Sequence, residues 1–78
     1  MPTVLRVNGW AVRIYPNDHA PQHVHVIGAE GEAVVVIGRP ARLVRAQGMS
    51  SRAVRVAVEL VEANAEMLAQ AWRDIHGH

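Results

Sequence analysis

Cysteine is absent from this chain of 78 residues, and its absence removes two ways of stabilising a small protein. Without thiols the chain forms neither disulfides nor thiolate zinc sites. The length predicts one domain, over residues 1–78, that buries only roughly 60% of its unfolded surface and is therefore marginally stable. Metal ligation by imidazole and carboxylate groups, or self-association, remains as a means of support.

Phenylalanine and lysine are absent as well, and the aromatic side chains are limited to Trp10, Tyr15 and Trp72. So few aromatic rings argue against recognition of single-stranded nucleic acid by base stacking. No helix-turn-helix pattern supports sequence-specific reading of DNA. The core must therefore be built from valine and alanine, which are the most frequent apolar residues of the chain.

Long apolar runs are also missing. A membrane-spanning helix needs roughly 20 predominantly apolar residues, and no segment approaches that length. No signal-peptide pattern is present either. Apolar residues nevertheless make up 50% of the chain, as in ordinary folded proteins. We therefore expect a folded protein of the cytoplasm with no membrane contact.

The basic residues are all arginines and are unevenly distributed, although the net charge is only +1. The segment from Arg39 to Arg55 contains five arginines and no acidic residue. Residues 59–78 contain four acidic residues and one arginine. This asymmetry predicts a basic face suited to phosphate groups or to an acidic protein. The candidate binding residues are Arg6, Arg13, Arg39, Arg42 and Arg45.

A β-hairpin is predicted at the start of the chain. Asn8-Gly9 lies between two apolar runs, and both central residues of a type I′ turn need a positive φ, which Asn and Gly tolerate. The predicted strands cover about residues 3–7 and 10–15. The opposed pairs expected on the core side are Val7 with Trp10, Leu5 with Val12, and Thr3 with Ile14.

Two further strands follow, with apolar residues at every second position of the first. The valines expected to face the core are Val24, Val26 and Val35. Val34 and Val36 then lie on the opposite side of the sheet, together with His23 and His25. Valines are unusual on a face exposed to water, so we predict that Val34 and Val36 form an interface with a second copy or with a partner protein.

The rest of the chain is predicted to form a connector over residues 38–50, either a short edge strand or one helical turn, and one long helix over residues 51–76. Pro40 and Gly48 interrupt regular structure in the connector, and Asn64 is the weakest point of the helix. The apolar stripe of helical period consists of Val54, Val58, Val61, Ala65, Leu68, Trp72 and Ile75. The fold class is therefore α+β: an antiparallel sheet of about four strands, over residues 1–37, packed against one long C-terminal helix.

Three of the five histidines lie within seven residues, in NDHAPQHVHVIG. His23 and His25 project from one face of a strand, and His19 and Asp18 precede them in a loop. Neutral imidazoles with a carboxylate can bind zinc, iron, nickel or manganese. The same residues can supply an acid and a base for a metal-free ribonuclease, with an arginine on the phosphate. A purely structural role in pinning the loop is the third alternative, and we expect no resident cofactor.

Four stretches of the chain resemble a family of small bacterial proteins, the domain of unknown function 4160 family: MPTVLR, NDHAPQHVHV, GMSSRAVR and LVEANAEMLAQAW. The positions that match its motif are Asp18, His19, Pro21, His23 and His25, and Gln22 replaces the motif's second proline. The resemblance covers nearly the whole chain. It implies an accessory protein of bacteria, mobile elements or phages, often beside a second short gene in an arrangement similar to toxin–antitoxin pairs. It implies no particular activity.

Three hypotheses follow. The first is a component of a toxin–antitoxin-like pair that binds RNA or cleaves it as a ribonuclease. The second is a non-enzymatic interaction module that binds a cognate partner or forms a homo-oligomer. The third is a histidine-based metal site, with His23, His25 and His19 as candidate ligands. Metal content separates the third from the first, and RNA binding or cleavage separates the first from the second.

Overall fold

A computed structural model describes residues 3–78, and residues 1 and 2, where the predicted domain begins, lie outside the described residues. The fold class is α+β, with an antiparallel sheet in the order β1-β2-β3-β4-β5. Five strands replace the expected four, and two helices replace the expected one. The elements are β1 Thr3–Val7, β2 Trp10–Arg13, β3 His23–Ile27, β4 Glu32–Val36, β5 Arg42–Gln47, α1 Ser51–Ala63 and α2 Ala65–His76.

The predicted hairpin turn is confirmed, since Asn8 and Gly9 have φ values of 50° and 84°. The pairs Val7 with Trp10 and Leu5 with Val12 also form as expected. The expected pairing of Thr3 with Ile14 is wrong. A bulge between Thr3 and Leu5 sets Thr3 opposite Arg13, whose Nε donates a hydrogen bond of 3.2 Å to Thr3 Oγ1.

The register between β3 and β4 agrees with the sequence pattern. Val24 lies opposite Val35, His25 opposite Val34, and His23 opposite Val36. Because directly opposed residues in an antiparallel pair point to the same side, the two histidines share a face with the two valines. We call this side, carrying His23, His25, Val34, Val36 and Arg13, the histidine face.

Of the two alternatives for residues 38–50, the edge strand is confirmed, because Arg42–Gln47 forms β5 and pairs with β4. An irregularity between Val34 and Val35 shifts the register, so that Val34 lies opposite Arg45 but Val35 lies opposite Leu43. A strict alternation of apolar and polar residues therefore never appears in this strand, which is why its sequence does not separate a strand from a helical turn.

The single long helix of the prediction is divided at Asn64, whose φ and ψ are −116° and 24°. Its Nδ2 donates a hydrogen bond of 2.8 Å to the carbonyl oxygen of Leu60, and carbonyl groups near the end of a helix lack N–H donors from the helix itself. At the other end, Ser50 caps α1, and its Oγ accepts a hydrogen bond of 3.1 Å from the backbone N–H of Ala53. Neither helix in residues 3–78 is both long and apolar enough to cross a membrane.

The core lies between the two helices and the side of the sheet opposite the histidine face. Its buried members are Val12, Ile14, Val24, Val26, Ala33, Val35, Ala57, Val61, Leu68 and Trp72. The predicted core valines are therefore confirmed. Val34, which is predicted to form an interface from the histidine face, is only 5% exposed within this chain. Val36 is half-buried, and residues 19–21 line a cleft together with both valines, so the loop before β3 covers part of this face.

Candidate functional site

Strand β3 places His23 and His25 side by side on the histidine face. Alternation along the strand points both rings to the same side, and their centroids are 5.4 Å apart. The two side chains are 17% and 12% exposed, so each ring is largely enclosed yet still open to solvent. The expected juxtaposition of the two histidines is confirmed.

Asp18 reaches the same two rings from the loop before β3. Its Oδ2 accepts a hydrogen bond of 3.0 Å from the backbone N–H of Tyr15, and its own N–H donates to the carbonyl oxygen of Tyr15. This pair of bonds fixes the carboxylate over the strand. Its Oδ1 lies 3.3 Å from Nε2 of His25 and 3.6 Å from Nε2 of His23. Asp18, His23 and His25 together are the Asp–His cluster below.

The other ring nitrogens of the Asp–His cluster are held by oxygen acceptors. Nδ1 of His23 lies 2.8 Å from the carbonyl oxygen of Pro21, and Nδ1 of His25 lies 3.0 Å from Oε2 of Glu32. Carbonyl and carboxylate oxygens only accept hydrogen bonds, so each Nδ1 carries a proton. Each Nε2, which faces Asp18, is therefore the nitrogen that donates to the carboxylate while it carries a proton and offers a lone pair when it does not.

The environment of Asp18 favours its ionised form. Burial of the carboxyl group opposes ionisation, but the hydrogen bond from the Tyr15 N–H and the contacts with His25 and His23 outweigh it. The pKa of Asp18 therefore lies below its ordinary value. The cluster consequently holds a carboxylate anion beside the two histidine rings.

Aromatic rings enclose the cluster on two sides. The ring of Tyr15 meets His25 edge-on at 4.7 Å between centroids, and Trp72 lies 5.4 Å from His23. The ring of His76 stacks on the ring of Trp72, with 4.0 Å between their centroids. Trp72 was expected only as a core residue from its place in the helical stripe, so its contact with His23 is a feature that the periodicity does not reveal.

Four of the five candidate arginines share the histidine face. Arg13 lies directly opposite His25, and Arg6 lies opposite Ala11, two residues before Arg13 on the same side of β2. On β5, Arg45 lies opposite Val34 and Arg42 opposite Val36. Strand β5 thus adds two arginines to the two that β1 and β2 place on this face.

Two of the predicted site residues stand apart from the Asp–His cluster. Arg39 is exposed, and its Nε donates a hydrogen bond of 3.4 Å to the carbonyl oxygen of Glu62 on α1. His19 is exposed too. It lines the cleft beside His23, but among the described residues only Asp18, His23 and His25 bring donor atoms within 4.8 Å of one another.

Glu32 and Tyr15 belong to the site but were not among the sequence candidates. Glu32 lies opposite Ile27, which is the next residue after His25 on the histidine face. The register of the hairpin formed by β3 and β4 therefore predicts that Glu32 lies near His25. Tyr15 follows Arg13 by two residues, beyond the end of β2. Its contact with Asp18 depends on the loop's path, which no local pattern in the sequence predicts.

Comparison with known proteins yields one match. The family model described as "Domain of unknown function (DUF4160)" matches residues 9–73, which include the Asp–His cluster and the whole sheet from β2 to β5. No curated protein and no solved structure matches the chain.

Proposed function

The chain belongs to this family of unknown function, and we propose that it is an RNA-binding component of a toxin–antitoxin-like gene pair that acts in the bacterial cytoplasm. The gene-pair setting rests on the family resemblance. RNA binding rests on one observation, namely that Arg6, Arg13, Arg42 and Arg45 share the histidine face.

The arrangement of the four arginines suits a phosphodiester backbone. Arg6 and Arg42 lie on the two outer strands, and strands in a sheet are about 4.8 Å apart, so the charges extend over roughly 19 Å from β1 to β5. Guanidinium groups bind phosphate oxygens with two parallel hydrogen bonds. Trp72 is only 3% exposed, so little aromatic surface is available for stacking on bases. Backbone contacts therefore provide the affinity, with little dependence on base sequence.

The orientation of the imidazoles supports binding rather than cleavage. A metal-free ribonuclease needs a ring nitrogen directed towards the substrate to remove or supply a proton. Here each Nδ1 is bonded to Pro21 or Glu32, and each Nε2 faces Asp18. No ring nitrogen of His23 or His25 is left to meet an incoming ribose or phosphate.

Salt dependence of binding to a single-stranded RNA of mixed sequence tests this proposal. Four phosphate contacts predict a slope of log K against log salt of roughly −2.8 by fluorescence anisotropy, because each contact with a single strand contributes about −0.7. The variant with Arg6→Gln and Arg45→Gln removes two exposed charges from the histidine face and should have a slope of roughly −1.4.

The matched control removes two exposed arginines from α1, on the other layer of the fold, through Arg52→Gln and Arg55→Gln. It should retain the wild-type slope. Loss of affinity in the control equal to that in the sheet variant would mean that net charge, not the histidine face, attracts RNA. Absence of binding at low salt would reject RNA binding altogether. Gel analysis of the same RNA after incubation reports any cleavage.

A second candidate function, binding of a cognate partner protein, is favoured by the outer strand β5. Leu43 and Val44 are 38% and 50% exposed on this unpaired edge, and exposed strand edges readily pair with another chain. A two-fold axis between Leu43 and Val44 would set Arg42 opposite Arg45, and like charges directly opposed are destabilising. The edge therefore suits an acidic partner strand better than the homodimer that the sequence also suggests.

A further inference from the structure

We propose that Asp18, His23 and His25 bind one divalent transition-metal ion of the zinc class. The proposal is independent of RNA binding, since the ion can bind whether or not RNA occupies the arginines. The sequence by itself favours the absence of a resident ion, and the geometry of the donor atoms points the other way.

The separations within the Asp–His cluster fit a shared ion better than direct ion pairs. Charge-assisted N–H···O bonds measure about 2.7–2.9 Å. Oδ1 of Asp18 is instead 3.3 Å from Nε2 of His25 and 3.6 Å from Nε2 of His23. Donor atoms bonded tetrahedrally to zinc at about 2.0–2.1 Å lie roughly 3.3 Å apart.

The hydrogen bonds at the Nδ1 atoms of His23 and His25 orient the two rings as ligands. A metal-binding histidine usually donates its second N–H to a carboxylate or a backbone carbonyl, which holds the ring and selects the tautomer. His25 has the first type of partner in Glu32, and His23 has the second type in Pro21. Both Nε2 atoms are therefore the nitrogens left to bind an ion, which would replace any proton on them, and both face Asp18.

The carboxylate of Asp18 is fixed by the backbone and lies close to both imidazoles. Oδ2 accepts the hydrogen bond from the Tyr15 N–H and lies 3.3 Å from Nε2 of His25, and Oδ1 lies near Nε2 of both rings. The side chain of Asp18 is only 14% exposed, so water competes weakly for this position. The three donor atoms are thus held in place by other groups before any ion arrives.

The donor set selects the chemical class of the ion. Two imidazole nitrogens and one carboxylate oxygen suit zinc, and also manganese, iron, cobalt and nickel. Calcium and magnesium prefer oxygen ligands and suit this site poorly. Three protein ligands leave at least one coordination position for water or for another oxygen ligand. Arg13 lies directly opposite His25 and so shares the histidine face with the cluster.

Zinc chloride added to chelator-treated protein tests the proposal, with any polyhistidine tag removed because a tag binds the same ions. Isothermal titration should give one ion per chain. The melting temperature should rise as the zinc concentration rises, because an ion that binds only the folded state stabilises it by mass action. Magnesium chloride at the same concentrations should leave the melting temperature unchanged. Melting curves that are identical with zinc and with chelator would overturn the proposal.

The matched variants are His25→Gln and His19→Gln, which remove one histidine from the cluster and one from the adjacent loop. We expect zinc affinity to fall at least tenfold in His25→Gln and to remain at the wild-type value in His19→Gln. Equal losses in both variants would mean that zinc binds exposed histidines without a formed site. Circular dichroism of each variant establishes that it is folded before the titrations are compared.

Nitrogen NMR of the wild-type rings provides a readout that needs no variant. On addition of zinc, Nε2 of His23 and His25 should change its chemical shift while Nδ1 remains protonated, and His19, His76 and His78 should be unaffected. Coordination through Nδ1, or changes confined to His19 and His78, would contradict the proposed geometry. RNA binding is measured separately by anisotropy, so a negative result there leaves the zinc result intact, and the reverse also holds.

Discussion

Gly31 occupies a position where even one extra methyl group meets the backbone. A Cβ atom at residue 31 would overlap the carbonyl oxygen of Gln47 and lie 2.7 Å from the carbonyl carbon of Gly48. The turn between β3 and β4 therefore packs directly against the end of β5. Gly9 differs, since its φ of 84° needs glycine for conformational reasons but nothing lies within 4 Å of a Cβ there.

The variants Gly31→Ala and Gly9→Ala separate the cost of steric overlap from the cost of backbone strain. Gly9→Ala should lower the free energy of unfolding by roughly 1–2 kcal/mol, which is the cost of a left-handed conformation for an L-residue. Gly31→Ala should lower it by more than about 2 kcal/mol, because a backbone atom cannot rotate aside as a side chain does. Urea denaturation gives both values. A smaller effect at Gly31 than at Gly9 would show that the turn and β5 do not touch.

The positions of some site residues were predictable from the alternation of side chains along β3. Alternation sets His23 and His25 on one side of the sheet, and proximity along the chain makes Asp18 a candidate. The separation of His19 from the cluster was not predictable, since neighbouring loop residues have no fixed direction. Glu32 becomes visible only when the two strands are aligned, because its contact with His25 crosses the hairpin.

At the scale of elements, α1 begins at a side-chain cap. Ser50 and Ser51 are both possible caps from the sequence, and the extended conformation of Ser50, with φ −69° and ψ 164°, identifies it as the residue just before the helix. Its Oγ satisfies one of the N–H groups that the first turn of a helix leaves without a backbone acceptor.

Ser50→Ala should therefore lower the free energy of unfolding by about 1 kcal/mol, the usual cost of losing a side-chain cap. Ser51→Ala is the matched control, because Ser51 is exposed and is the first residue of the helix itself. We expect its effect to lie within about 0.5 kcal/mol of zero. Thermal unfolding of the two variants measures both changes in the free energy of unfolding. A larger loss at Ser51 would place the start of the helix one residue later.

The division of the helical region at Asn64 leaves one apolar stripe facing the core. The buried residues of the two helices step by 4, 4, 3 and 4, as in a single helix: Ala57, Val61, Ala65, Leu68 and Trp72. All of them belong to the predicted stripe except Ala57, which lies outside it. The sequence marks Asn64 as weak, but whether a weak point breaks depends on what each half packs against.

At the scale of the whole molecule, the edge strand β5 is where we expect a partner to bind. The candidate partner is the product of the second short gene in the proposed gene pair, which the family resemblance implies. Replacing Leu43 and Val44 by serine should prevent co-purification of the two products. Withdrawal of two such side chains from water contributes roughly 3 kcal/mol, or about a hundredfold in Kd.

The matched control replaces Val56 and Met67 by serine, since these residues are similarly exposed but lie on the helices. It should still co-purify with the partner, and both variants should still bind RNA. Sedimentation of the protein alone measures self-association. A wild-type homodimer that the β5 variant dissociates would assign the edge to a second copy of this chain and reject the acidic-partner proposal.

The sequence by itself determined the features that depend on near neighbours along the chain. The Asn8-Gly9 turn, the pairing of β3 with β4, the start of α1 and the common direction of His23 and His25 all follow from local φ preferences and from side-chain period. Both φ preferences and side-chain period depend on residues only a few positions apart, so they can be read from the sequence alone.

Only the tertiary structure decided the features that join distant segments. Residues 42–47 become a strand because the open edge of β4 supplies hydrogen-bond partners, and Arg42 and Arg45 reach the histidine face for that reason. Asp18 meets the imidazoles because its loop folds back across β3. The protonated nitrogen of each ring is selected by an oxygen outside it, from Pro21 or Glu32. Such contacts are set by packing and hydrogen bonding between segments, so no local pattern in the chain encodes them.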